Sequence, residues 1–345
     1  MIEPPEGGRT AHADASAPAE PAIGGPSGPA PRRRPGAVRR TSTIDMRWPA
    51  GPGARLRLDG RARDLLTPAD GAAPRVLDSA RLTAGFEPAS RTVEWLETVP
   101  RRPGTDALTG ARGGRHSRGL LASVMADEAA AGTGLYLLLD DIAGATLIAG
   151  FAYSRWFPRD ELAVIRRPPP RPMTGVCTGF MPGSGALMPD GAPVLERHTE
   201  AVPEVDEDGD PWSWHEVERI TEMSMRRARR IDVRIDGGRI LIDSMFQDSA
   251  TEPGGGRAAV HEYRLTGEAG LGSGVVERLD ADPRVLPYRE CPLASRNVDA
   301  LVGVALRDLR GEVLRRLRGV AGCTHLNDAI RALAEVPALV RSLQG

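Results

Sequence analysis

Two cysteines and one histidine near the C-terminus have residue types and surroundings that suit chemistry. In Gly322-Cys323-Thr324-His325, Thr324 suits the N-cap of an apolar helical repeat, which puts Cys323 just before the helix and His325 in its first turn. Cys291 has a similar setting, because the proline that follows it suits the first position of a helix. Free amide groups and the helix dipole favour a thiolate there, so a more acidic thiol than usual is predicted.

Three interpretations of this trio are open. The thiols can be buried and inert, with the histidine bonded to the backbone. Cys291, Cys323 and His325 can instead hold a metal, either zinc or an iron–sulfur cluster, with Cys177 of the Gly175-Val-Cys-Thr-Gly179 loop as a further ligand. In the third interpretation Cys323 is a catalytic nucleophile assisted by His325. The residue types allow all three, and their mutual geometry decides among them.

Other polar residues are weaker candidates. His261 and Tyr263 share one face of a predicted strand, where a hydrogen-bonded core histidine is the expectation and an acid–base role the alternative. His215 is an equally unspecific acid–base candidate. The arginines at 226, 227, 229 and 230 form a basic cluster that suits a small anionic ligand. Nucleic acid is not expected as a partner, because the net charge is only -1 and aromatic residues make up 4% of the chain.

Composition excludes several classes of enzyme. The 345 residues include 45 basic side chains, and reading the sequence shows that every one is arginine. Schiff-base, pyridoxal-phosphate, P-loop and kinase chemistry all need a lysine and are therefore excluded. The sequence also has no zincin, serine-hydrolase elbow or dinucleotide-binding motif.

The same composition predicts a cytoplasmic protein that does not enter a membrane. No apolar run approaches the ~18 residues needed to span a bilayer, and the N-terminus lacks the apolar segment of a secretory signal. Three cysteines are few and odd in number, as in a reduced compartment.

The order of elements predicts an α+β fold with a mostly antiparallel sheet, a helical C-terminal cap and a disordered N-terminal tail. Four regions are expected, and no internal repeat is found. They are a disordered Pro/Gly/Ala-rich tail over 1–38, an N-terminal α+β portion over 39–165, a Pro-rich and acidic loop region over 166–215, and a β-hairpin sheet with a three-helix module over 216–345.

Two local predictions bear on the core. Residues 135–142 and 145–153 are near-continuous apolar runs separated by Ala143-Gly144, which predicts a buried hairpin. Alternating apolar and polar residues over 231–243, with a turn at Asp236-Gly237, predict a second hairpin.

The C-terminal region resembles the bacterial family called domain of unknown function 2889. The resemblance rests on the segments at 286–292, 301–303 and 319–326, which carry Tyr-x-x-Cys-Pro, Leu-x-Gly and Gly-Cys-Thr-His-Leu. The 231–243 hairpin and the segment at 40–45 are similar to other parts of that family. The long stretch at 75–215 departs from the short members, and their His-Asp-Met segment has no counterpart here. The resemblance implies no biochemical activity.

The sequence therefore leaves two functions open. One is a non-catalytic or accessory protein that binds a small molecule or a partner. The other is a metal- or thiolate-dependent enzyme that acts on a small anionic substrate through the Cys291, Cys323 and His325 site. Whether the protein is an enzyme is undecided at this point.

Overall fold

Long strands dominate the structure, and apolar and polar residues alternate along parts of them, as over 231–236 of one central strand. The structure is a computed structural model that describes residues 23–165, 172–207 and 209–344. The described strands are β1 (Ala37–Arg47), β2 (Leu56–Thr67), β3 (Arg75–Phe86), β4 (Val93–Val99), β5 (Glu200–Val202), β6 (Ser224–Asp236), β7 (Arg239–Thr251), β8 (Arg257–Gly270) and β9 (Val276–Val285).

All nine strands join one antiparallel sheet in the order β4-β3-β2-β1-β6-β7-β8, and the far edge of β8 pairs with both β5 and β9. The predicted hairpin over 231–243 is confirmed as the turn between β6 and β7. The predicted fold class, α+β with a mostly antiparallel sheet and helices at the C-terminus, is also confirmed.

The sheet has a two-fold pattern about its centre. The meander β1 to β4 runs outward on one side, and the meander β6 to β9 runs outward on the other. The central strands β1 and β6 are antiparallel neighbours. This symmetry of the sheet was not predicted from the sequence.

The helices fall in two groups, one after each meander. They are α1 (Arg115–Val124), α2 (Ala126–Ala131), α3 (Gly134–Ile148), α4 (Phe151–Trp156), α5 (Arg159–Ile165), α6 (Leu309–Arg316), α7 (Thr324–Arg331) and α8 (Val336–Gln344), and 3-10 turns connect several of them. Both groups pack on the same face of the sheet and form the main core with it. In the described part of the chain, none of the helices combines the length and the apolar character needed to cross a bilayer.

The hairpin predicted over 135–153 is wrong, because this segment forms α3 and α4. Thr133 caps α3 by accepting a hydrogen bond from the amide of Tyr136. Leucine is the commonest residue of α3 and favours a helix over a strand. The run looks continuous because the sheet, α1 and α7 surround α3 and bury nearly every residue in it.

Loops cover the opposite face of the sheet. Residues 23–36 cross it without regular secondary structure, and Ser27 donates its amide hydrogen to Glu262 on β8. Trp214 packs there against Ala228 and Met245 in a smaller apolar cluster. The predicted disordered tail falls on residues 1–22 for most of its length, and the Pro-rich part of the predicted loop falls on 166–171. Both stretches lie outside the described residues.

Candidate functional site

Two histidines that are far apart in sequence stack face to face beneath the sheet. His261 lies on β8 with its side chain on the helix face, and His325 is the second residue of α7, which packs on that strand. Their ring centroids are 3.4 Å apart and the ring planes differ by 16°. The side chains are 7% and 15% exposed, so the pair is buried but not sealed from solvent.

Asp248 on β7 faces this histidine pair, because the strand register places it directly opposite His261. Its Oδ2 lies 3.8 Å from Nδ1 of His261 and 3.9 Å from Nε2 of His325. Both distances are too long for hydrogen bonds, and both nitrogens are buried without a hydrogen-bond partner. Two unsatisfied imidazole nitrogens therefore converge on one carboxylate oxygen.

This trio has the composition of a metal site. Within the described ranges, it is the group of three histidine, cysteine or acidic side chains whose ligand atoms all lie within 4.8 Å of one another. Two imidazoles and one carboxylate are a ligand set that proteins use for zinc and for ferrous iron.

Burial keeps both imidazoles neutral. Desolvation lowers the pKa of His325 to about 3, and the charge of Arg227 acts in the same direction. Desolvation also lowers the pKa of His261 well below 6.5, followed by the effects of His325 and Arg197. Neutral imidazole is the form that binds a metal, so these residues need lose no proton to act as ligands at neutral pH.

Arg227 on β6 fixes the Asp248 carboxylate. Its Nε donates to Oδ1 at 2.9 Å and its Nη2 donates to Oδ2 at 3.0 Å, in a bidentate pair. The guanidinium also lies over the Phe246 ring, 4.9 Å from its centroid. Because each carboxylate oxygen has two lone pairs, Oδ2 keeps one that is directed away from Arg227.

The Arg227–Asp248 pair belongs to a larger ion-pair network between the sheet and the helices. Arg227 also donates to Asp328 on α7 at 3.0 Å, and Asp141 on α3 accepts from Arg229 at 2.5 and 2.6 Å. Among the residues that the structure describes, the network joins six arginines and six carboxylates, so their formal charges balance. Its members are Arg40, Arg118, Arg227, Arg229, Arg310, Arg331, Asp64, Asp140, Asp141, Asp248, Asp328 and Glu335.

The basic cluster predicted over 226–230 is consequently not a surface patch. All four arginines are buried, and each pairs with a carboxylate. Arg227 and Arg229 point to the helices, whereas Arg226 and Arg230 point to the other face of the sheet, as alternation along a strand requires. The cluster serves the interior of the protein.

Gly144 of α3 makes room for Arg227. A Cβ at this position would lie 1.9 Å from Nη1 of Arg227 and 2.4 Å from Oδ2 of Asp328. The Ala143-Gly144 pair that predicts a turn in the sequence is therefore part of a helix that a guanidinium approaches closely.

The three cysteines lie near one another close to the start of α7. Cys323 is the residue before α7, Cys291 begins a 3-10 turn, and Cys177 precedes another turn that docks on residues 319–322. A Cβ on Gly179 would lie 2.7 Å from Sγ of Cys291 and 3.9 Å from Sγ of Cys177. The thiols thus share one region with His325, but none belongs to the group of ligand atoms within 4.8 Å found in the described ranges.

Burial raises the thiol pKa values, contrary to the direction predicted from the helix start. The pKa of Cys177 rises to about 11, and that of Cys323 also rises although two backbone amides of α7 and the Tyr263 hydroxyl oppose the shift. Desolvation thus outweighs the helix start at Cys323. The nucleophile assignment of Cys323 with His325 stays a prediction, as does the Cys291, Cys323 and His325 metal trio.

The sequence pointed to His325 as a ligand but not to its partners. The sequence predicts His261 as a core histidine with an acid–base alternative, and it gives no local signal for Asp248. Extending the confirmed hairpin register by five residues places Asp248 on the same face as Arg227, which is the signal that sequence reasoning missed.

His215 provides the contrast. It lies on the opposite face of the sheet, where its ring nitrogens contact the hydroxyls of Thr41 and Thr43 at 3.0 and 2.8 Å. It is therefore a hydrogen-bonded core histidine and not an acid–base group in a cleft.

The fold and the site define an α+β protein with one antiparallel sheet and a buried cluster of two histidines and one carboxylate. Residues 225–339 match the family described as "Protein of unknown function (DUF2889)", which confirms the resemblance predicted from the sequence for this part of the chain. The matched segment contains Asp248, His261, His325 and two of the cysteines. Searches of the curated proteins and of the solved structures found no match.

Proposed function

We propose that this protein is a metal-dependent enzyme whose site holds one divalent transition metal, zinc or ferrous iron, and takes a small anionic substrate. The ligands are Oδ2 of Asp248, Nδ1 of His261 and Nε2 of His325. The observation that carries the proposal is the pair of buried, unpartnered imidazole nitrogens that face the same carboxylate oxygen.

Binding requires the two stacked rings to turn towards a shared ion, because the lone pair of each imidazole nitrogen lies in its ring plane. The nitrogen–oxygen spacing suits such a metal. Two atoms bound ~2.1 Å from one zinc ion lie roughly 3.4 Å apart at a tetrahedral angle, close to the two nitrogen–oxygen distances here. Three protein ligands leave a coordination position open for substrate, as in catalytic zinc sites. The metal, when bound, supplies a Lewis acid that polarises a substrate oxygen. This nitrogen and oxygen donor set favours a single ion over the iron–sulfur cluster, which requires thiolates.

Arg197 supports an anionic substrate. Its positive charge reaches both histidines and lowers their pKa values. Its Nε donates to the Tyr288 hydroxyl at 3.2 Å and the guanidinium lies over the Phe151 ring. No carboxylate of the described chain pairs with it, unlike the arginines of the buried network. A carboxylate or phosphate group bound to the metal would supply the missing partner, and Arg197 would orient it.

Zinc titration of the metal-depleted protein against a chromophoric chelator tests the metal site. The wild type is expected to bind one zinc ion per chain. His261→Ala and His325→Ala should each weaken binding more than ~100-fold, because each removes a direct ligand. His215→Ala is the matched control, since it removes an equally buried histidine from the other face of the sheet. Equal affinity in all three variants would refute the site.

The cysteines provide a second discrimination. If the Cys291, Cys323 and His325 trio holds the metal, Cys323→Ser loses it; the proposed site predicts that this variant keeps full affinity. Phosphate binding to the zinc-loaded protein tests Arg197, because Arg197→Gln should weaken it about tenfold without changing zinc affinity.

A non-catalytic accessory protein is the second candidate. It is favoured by the bidentate Arg227–Asp248 pair, which already satisfies the carboxylate in a charge-balanced network. If the wild-type protein binds no metal, the non-catalytic accessory function is the candidate that remains. In either case we place the protein in the cytoplasm, a location that its three free cysteines support.

A further inference from the structure

The two halves of the sheet pair residue by residue in the same way. In the central pair, Arg40 lies opposite Ile231 and Ile44 lies opposite Arg227, which is the reciprocal pattern that a two-fold axis imposes on two copies of one strand. The outer strands keep equivalent registers as well. Residues 81–83 pair with 97–99 of β4, and residues 264–266 pair with 280–282 of β9.

The same residues recur at the matched positions. Both central strands carry Arg-Arg followed by Ile-Asp after three residues, at 39–45 and 226–232. Both β3 and β8 carry Arg-Leu-Thr, at 81–83 and 264–266. Both β4 and β9 begin with Val-Glu-x-Leu and continue to a proline, at 93–100 and 276–283. Sequence and register therefore give one and the same alignment of the two halves.

Side-chain geometry follows this alignment. Arg40 donates from Nε and Nη2 to the two oxygens of Asp64, both at 2.6 Å, as Arg227 does to the two oxygens of Asp248. Each half thus has a buried, bidentate arginine–aspartate pair on its first two strands, and both pairs lie on the same face of the sheet.

The first half lacks the histidines at the matched positions. Asp64 lies opposite Asp78 on the next strand, just as Asp248 lies opposite His261. Gly134 is the first residue of α3, and a Cβ built on it would lie 3.9 Å from Oδ2 of Asp78. His325 takes the corresponding place at the start of α7. An aspartate and a glycine therefore replace the two imidazoles.

We propose that residues 37–148 are a second copy of the module at 225–339, one that has lost its own site and acts as a built-in partner subunit that completes the site of the other copy. The proposal rests on the proposed metal site for the role it gives to the partner copy. It identifies the sheet centre and the facing helices as the interface between the copies.

The partner copy reaches the site through Asp141. This carboxylate accepts two hydrogen bonds from Arg229 and lies 3.5 Å from Nη1 of Arg227, which in turn fixes Asp248. The exchange is mutual, because Arg40 of the first copy donates to Glu335 of the second at 3.3 Å. Each copy thus supplies a carboxylate to arginines of the other, as in a symmetric dimer interface.

Zinc affinity of the full chain tests the role of the partner copy. Asp141→Asn is expected to weaken zinc binding about tenfold, because it loosens the arginine that orients a ligand carboxylate. Asp140→Asn is the matched control. Asp140 is the buried neighbour of Asp141 in α3. Its Oδ1 lies 2.7 Å from Nη2 of Arg331 across the same interface, but it does not contact Arg227 or Arg229. It should change zinc affinity no more than about twofold.

Three outcomes separate the proposals. A wild type that binds zinc, with a selective loss in Asp141→Asn, supports the built-in partner. A wild type that binds zinc with equal affinity in both variants overturns the partner role and leaves the metal site standing. A wild type that binds no zinc overturns the metal site and the partner role with it.

A grafted variant tests the equivalence of the two copies. Asp78→His with Gly134→His installs the missing imidazoles, and Ala62→Gly admits the new Cβ, which would otherwise lie 3.1 Å from the Ala62 Cβ. This chain should bind two zinc ions, and adding Asp64→Asn should return it to one. A folded graft that still binds one zinc ion contradicts the equivalence; if the graft does not fold, the comparison of the asparagine variants decides.

Discussion

Gly144→Ala should destabilise the protein, although alanine is a better helix former than glycine. The Cβ of Gly144→Ala would lie 1.9 Å from Nη1 of Arg227 and 2.4 Å from Oδ2 of Asp328. Because ordinary contacts are ~3.5 Å, the guanidinium must move by roughly 1.5 Å. That movement breaks the 3.0 Å bond to Asp328 and strains the pair with Asp248.

The net loss follows from two opposing effects. Disrupting a buried ion pair costs about 3–5 kcal/mol, and replacing a helical glycine by alanine recovers about 1 kcal/mol. The unfolding free energy of Gly144→Ala should therefore fall by about 2–4 kcal/mol. The matched control is Gly119→Ala in the middle of α1, where a Cβ meets nothing within 4 Å, and this variant should gain up to about 1 kcal/mol.

Urea unfolding followed by circular dichroism at neutral pH measures both changes. The two unfolding midpoints should shift in opposite directions, with an unchanged dependence of the unfolding free energy on urea concentration. If the two variants were stabilised alike, the guanidinium of Arg227 would not approach α3 as described, and the support it gives Asp248 would fail with it.

Three further predictions concern residues outside the metal ligands. Burial lowers the pKa of His215 to about 3, so between pH 6.5 and 3 the unfolded protein binds a proton at this residue that the folded protein does not. The free energy of unfolding should therefore fall as the pH drops from 6.5 towards 3, and His215→Gln should lessen this pH dependence. Cys177, with a pKa raised to about 11, should react with iodoacetamide at pH 7 more than ~100-fold slower than free cysteine; a fast reaction contradicts its burial. Thr133→Ala should lose about 1 kcal/mol in thermal or urea unfolding, because the hydroxyl caps α3, whereas no loss would mean that the cap contributes nothing.

The alternation of apolar and polar residues in strands was the most useful signal for predicting the fold from the sequence. The alternation at 231–243 fixed a hairpin and its faces, because shifting an antiparallel strand by one residue turns every side chain to the other face. Periodicity gives no such signal for α3. Neighbouring elements bury this helix on all sides, so its apolar residues do not repeat with the helical period. The prediction of a hairpin there shows that a short apolar run has no unique secondary structure until its neighbours are known.

The candidate site was only half visible in the sequence. His325 stood out because it follows a threonine that the sequence predicts as a helix cap, a local signal that one segment carries by itself. Asp248 and His261 meet it through strand pairing and helix docking, contacts that no local pattern encodes. The acidity expected of Cys323 also failed for a tertiary reason, since desolvation by the surrounding core exceeds the effect of the helix start.

X-ray absorption at the zinc edge of the loaded protein tests the central claim most directly. The site of Asp248, His261 and His325 predicts nitrogen and oxygen neighbours alone, at ~2.0–2.2 Å, with the outer-shell scattering of two imidazole rings. A sulfur shell at ~2.3 Å would place the metal on the cysteines instead and contradict the account.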